Sequence, residues 1–207
     1  MMKKLLAMLL AMLLALCLLT PAALAEIDED GDLAVSMPGV SFFFTPPEDA
    51  FVLGREMSAS AYNALGLSQR EIVAWMEECD VYALLIDAAG TCEMHVLAYE
   101  GWGGDYDDMS EYGLERECGS IRYSYTDQGY DVLACDVYAA PEGHTFVRTE
   151  ATIDFGDGTG DYLVEYLTVR GGYVVSVYLF TYEETITPEQ TLLVESIVDS
   201  LWITPVQ

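Results

Sequence analysis

Two histidines, a few cysteines and a large surplus of carboxylates are the groups in this chain whose types and spacing could do chemistry. His95 lies inside an apolar run and His144 at the exit of a turn. Neither belongs to an H-E-x-x-H metal motif, and no G-x-S-x-G nucleophile elbow is present. Both are read as structural histidines. Two loops concentrate oxygen atoms and aromatic rings. Residues 101–108, GWGGDYDD, set Trp102 and Tyr106 beside Asp105 and Asp107. An indole there can stack on a sugar ring while carboxylates bind its hydroxyls, or it can anchor a protein partner. The same aspartates would also suit the positive end of a following helix. Residues 154–161, DFGDGTGD, offer Asp154, Asp157 and Asp161 on a glycine-rich turn, the kind of oxygen ligands that calcium takes. EF-hand spacing is absent, and aspartate-glycine is equally the composition of an ordinary hairpin turn. Paired acids could run glycoside hydrolysis. With 35 acidic residues such pairs arise by chance, and the sequence selects none.

The compartment is written at the start of the chain. Lys3 and Lys4, an apolar run over residues 5–19 and the Ala23-Leu24-Ala25 site predict a secretory signal peptide, cleaved before Glu26. The run is shorter than the roughly 20 residues a spanning helix needs. Cys17 follows Leu16, whereas lipidation needs a small residue before the cysteine, so Cys17 belongs to the leader. Residues 26–32, EIDEDGD, form a short acidic stretch, and residues 33–207 a single domain. The product is expected to be secreted, without stable membrane insertion. Both lysines leave with the leader, and six arginines then face 35 acidic residues, a formal charge of −29. Nucleic acid and anionic lipid are excluded as partners by that balance. It favours solubility, cations or basic partners. A lysine-free product also has no Schiff-base or P-loop chemistry. Cys79, Cys92, Cys118 and Cys135 contain no C-x-x-C, which argues against a zinc cluster. Two disulfides and four free thiols are both compatible with that spacing.

Positioning these groups are elements with clear patterns. VSFFF at residues 40–44 and AFVLG at 50–54, separated by Pro46-Pro47, predict a small opening β pair. Ser68 and Glu71 make a capping box for a helix over 68–79, with Ile72, Val73, Trp75, Met76 and Cys79 on one face. A hairpin turns at Ala89-Gly90, and a second helix is predicted over 109–121 with Leu114, Cys118 and Ile121 inward. Strands follow at 130–138, 145–155, 162–169 and 173–182, the last two joined by Gly171-Gly172 as an antiparallel meander. Leu163, Leu167 and Val169 alternate with Val164 and Tyr166, so both sheet faces are expected to be covered. Thr187, Pro188 and Gln190 start a closing helix with Leu193, Val194, Ile197, Val198 and Leu201 as its buried stripe.

The opening VSFFFTPPEDAFVL, the closing TPEQTLLVESIVDSLWI and the order of elements between them resemble the PsbP-like fold. That resemblance implies an α+β domain, a mostly antiparallel sheet with helices packed on it as an α/β/α sandwich. It also implies a non-enzymatic binding or accessory role outside the cytoplasm, and it brings no site residue with it. The expectation is therefore a secreted binding module for an unknown protein or glycan ligand, with no cofactor unless calcium occupies the 154–161 loop. Its rivals are a carboxylate-dependent glycan hydrolase and a calcium-stabilised surface protein. Oligomeric state is left open.

Overall fold

The structure, a computed structural model, describes residues 32–37, 39–101, 103–156, 160–181, 183 and 185–205. The expected signal peptide and nearly all of the acidic stretch lie outside the described residues, as do Trp102 and Asp157. Among the described residues, no helix is long and apolar enough to cross a membrane.

Among the described residues, ten strands form two antiparallel sheets. The large one has seven strands in the order β3 (Ala50–Gly54), β4 (Val81–Asp87), β5 (Cys92–Glu100), β9 (Tyr173–Thr181), β8 (Gly160–Arg170), β7 (Thr145–Asp154) and β6 (Asp131–Ala139). The small one is β1 (Leu33–Met37), β2 (Val40–Phe44) and β10 (Trp202–Pro205). Four helices among the described residues pack on these sheets: α1 (Ala59–Ala64), α2 (Gln69–Glu78), α3 (Glu111–Asp127) and α4 (Pro188–Ser200). The fold is the expected α+β arrangement.

Local chemistry explains most boundaries. Gly171 and Gly172 both adopt left-handed φ, 58° and 82°, which matches the twist of a two-residue hairpin joining β8 and β9. At α4 the predicted capping box forms: the Gln190 backbone N–H donates to Thr187 Oγ1 at 3.2 Å, and the Thr187 N–H to Gln190 Oε1 at 2.9 Å. The Gln190 amide also donates to Thr181 and Thr91 hydroxyls, pinning the helix start to the sheet.

Three sequence expectations are corrected, and two elements are added. The strands at 40–44 and 50–54 do not pair; β2 lies between β1 and β10, and β3 joins the large sheet beside β4. The two prolines between them cannot make a tight hairpin and instead pass the chain from one sheet to the other. Ser68 makes no side-chain cap bond at α2, and Gln69 donates instead to the Met57 carbonyl at 2.9 Å. Helix α3 runs to Asp127, six residues past the expected end, because Tyr125 still has a buried partner to reach. Helix α1 and strand β10 are additions: each is too short to show a period.

Alternation along the strands gives the large sheet two different faces. Val164, Tyr166, Val175, Val177 and Leu179 point to one side, where α4 and the small sheet bury them against Phe42, Phe44, Val194, Ile197 and Ile203. This is the main core. On the opposite side α3 covers β6 and β7 through Leu114 and Tyr125, while Trp75 of α2 approaches His95 of β5. That second face also holds Leu163, Glu165 and Ser176, all buried.

Candidate functional site

The loop ahead of α3 is held tightly to the sheet. Tyr106 is buried in a short 3-10 turn, and burial, then nearby acids, push its hydroxyl well up. Asp105 Oδ1 accepts the backbone N–H of Gly171 at 2.8 Å. Asp107 takes more: Thr145 N–H at 2.7 Å, His144 Nδ1 at 3.1 Å and the guanidinium of Arg170. Burial raises the Asp107 carboxyl, but the His144 and Thr145 bonds and the nearby charges outweigh it, leaving the group below the usual aspartate range. His144 Nε2 accepts the Ile203 N–H at 3.3 Å, so Nδ1 is the protonated nitrogen and donates to Asp107. In an acid-histidine pair of this kind Nε2 would be the base. Here a backbone amide occupies it, and the cluster serves to tie β7, β8, β10 and the loop together.

Of the three aspartates proposed for calcium, Asp154 accepts the Gly156 N–H at 2.7 Å in a local turn, and Asp161 lies opposite Ile153 within the β7–β8 ladder. Asp157 is not among the described residues. No group of three or more histidines, cysteines or acids able to hold a metal occurs among those that are.

A different set of groups comes together on the α3 side of the sheet. Glu165 is enclosed and accepts hydrogen bonds from Tyr125 Oη and Ser176 Oγ, each at 2.8 Å, with Tyr178 a third hydroxyl donor. Burial raises its carboxyl, and the three hydroxyls only partly offset this. Glu165 pairs in register with Tyr178 on one side and Thr149 on the other; His95 and Cys135 extend the row outward. A line of protic side chains therefore crosses five strands. At one end His95 sits between Trp75 and Phe180, with ring centroids 5.3 and 5.0 Å away, and its Nε2 is 3.4 Å from Glu93 without hydrogen-bond geometry. At the other end the row meets a groove of about 650 Å³ between α3 and β6, lined by Glu111, Glu115, Cys118, Arg122, Cys135 and Asp136 among others.

Sequence reasoning missed Glu165. The signal was an acid between Val164 and Tyr166, inside a strand whose two faces were both expected to be covered. A carboxylate with no exposed face must find partners, and that alone marked it.

The strands and helices make an α+β sandwich. It is similar in structure to cyanobacterial PsbP (CyanoP) from Synechocystis sp., at 11% sequence identity and a TM-score of 0.48, the match covering 89% of this chain and 99% of that one. It is also similar to a protein from Bacteroides thetaiotaomicron, at 9% identity and a TM-score of 0.40, over 81% of this chain and 48% of the other. The likeness is one of fold, and neither structure brings a site with it. No protein-family model matches the chain, and no curated protein matches it.

Proposed function

We propose that this protein is a non-catalytic binding or accessory module that works outside the cytoplasm. Its binding place on this reading is the groove between α3 and β6, and its ligand is a basic, partly apolar segment of a protein partner. The observation that carries the reading is the lining of that groove: Glu111, Glu115 and Asp136 line it together with Leu114 and Val137, and Arg122 is the one basic side chain in that lining. Acids beside apolar side chains at an open cleft suit arginine or lysine side chains with their alkyl stems. The groups best able to catalyse are committed elsewhere. His144 uses both ring nitrogens, and Glu165 is sealed behind three hydroxyls. That disfavours a carboxylate-dependent hydrolase at those positions.

The test is a titration of the purified protein with arginine-rich and lysine-rich peptides, followed by calorimetry at two salt concentrations. Binding that weakens in Asp136→Asn and Glu115→Gln, and weakens further with salt, is expected. Turnover of a polysaccharide, peptide or ester, abolished by one substitution, would overturn the reading.

A further inference from the structure

Only one pair among the four described cysteines lies face to face. Cys79 is exposed at the C-terminal end of α2, and Cys92 is buried at the start of β5 on the main-core side. Cys118 of α3 and Cys135 of β6 meet across the helix-sheet seam. Cys135 Sγ is 3.5 Å from the Cys118 carbonyl oxygen and 3.5 Å from Thr149 Oγ1. Both are half-buried free thiols, and both line the groove, which leaves a small reagent a path to them.

We propose that Cys118 and Cys135 form a redox pair, closed to a disulfide by exchange with a small-molecule disulfide such as oxidised glutathione. One thiolate attacks the reagent and releases one thiol, giving a mixed disulfide. The second then displaces the other half, so that two protein thiols become one S–S bond and the reagent leaves as two thiols. The bond staples α3 to the edge strand β6, the outermost strand of the large sheet at that end. Nothing in this depends on what the groove binds.

The surroundings set the rate. Burial, then the Cys135 thiol and Asp136, push the Cys118 thiol up to about 12, against a smaller opposing effect of Arg122. Thiolate at Cys118 is therefore scarce at neutral pH, and attack by that sulfur is slow and accelerates about tenfold per pH unit through the neutral range.

The experiment incubates the purified protein, carrying Cys79→Ser, with oxidised glutathione at pH 7 and pH 8.5, then digests it with trypsin without reduction. The chain cleaves after Arg116, Arg122 and Arg148, so closure joins peptide 117–122 to peptide 123–148. That cross-link is expected, faster at the higher pH. Closing a loop of this size should raise Tm by about 6–12 °C, reversed by dithiothreitol. In Cys135→Ser the cross-link is absent and Cys118 carries a single glutathione adduct. Stable glutathione adducts on both cysteines, a cross-link to Cys92 instead, or two thiols that react only in urea would each overturn the pair.

Discussion

The two faces of the seven-stranded sheet come from the same strands and yet are built in opposite ways. Toward α4 and the small sheet, β8 and β9 present Val164, Tyr166, Val175, Val177 and Leu179, closed over by Phe42, Phe44 and Ile197. Toward α3 they present Leu163, Glu165, Ser176, Tyr178 and Phe180, and the seam there encloses a carboxyl held by hydroxyls. The first face is stabilised by area and close packing. The second is a polar network whose every member depends on the others, and losing one leaves the rest unsatisfied.

That contrast predicts a ranking of losses. Phe42→Ala should cost the most, about 3–5 kcal/mol, read from urea midpoints. Leu163→Ala on the α3 face should cost clearly less, and equal losses would erase the distinction between the faces. Tyr125→Phe removes one donor from Glu165 and should cost about 1–3 kcal/mol; an unchanged midpoint would show that the hydroxyl does not hold the carboxyl. Thr187→Ala, which takes away half of the α4 capping box, should cost about 1 kcal/mol on the dry face without altering any pH dependence.

Acid and base titration sharpen the comparison further. Glu165 titrates above its ordinary value of 4.5, so the folded protein keeps a proton that the unfolded chain has released. Stability should therefore fall as pH rises from about that value through the folded titration point. Glu165→Gln should flatten this decline, and an unaltered slope in urea midpoints between pH 5 and 8 would exclude Glu165 as its source. Asp107 behaves in the opposite sense. Its folded carboxyl lies below 3.8, so its contribution is complete above that value and is lost as pH falls through the lower folded titration point. Asp107→Asn should be less stable than the natural protein at pH 7 and converge with it in strong acid.

What was legible in the sequence follows the same division. Period and punctuation gave β4 to β9, α2 and α4 within a residue or two, because Ala89-Gly90, Gly171-Gly172 and the Thr187 box act locally. Pairing between distant segments was not legible: nothing in VSFFF states that its neighbour is WITP rather than AFVLG, since any β-branched or aromatic run can pair with any other. At the loop 101–108, composition drew attention to Asp105 and Asp107, but their partners Gly171, Arg170 and His144 come from much later in the chain. The polar row was invisible for the same reason. His95, Tyr178, Glu165, Thr149 and Cys135 are adjacent only through the register of four ladders.

Strand β10 has four residues, and it docks on a partner from the other extreme of the fold, Ile203 opposite Phe42. A contact of such large separation contributes nothing until the intervening layers are in place, and then it locks both sheets at once through the Ile203 N–H bond to His144. It works as a clasp: one short strand holds β2 on one side and the turn ahead of β7 on the other.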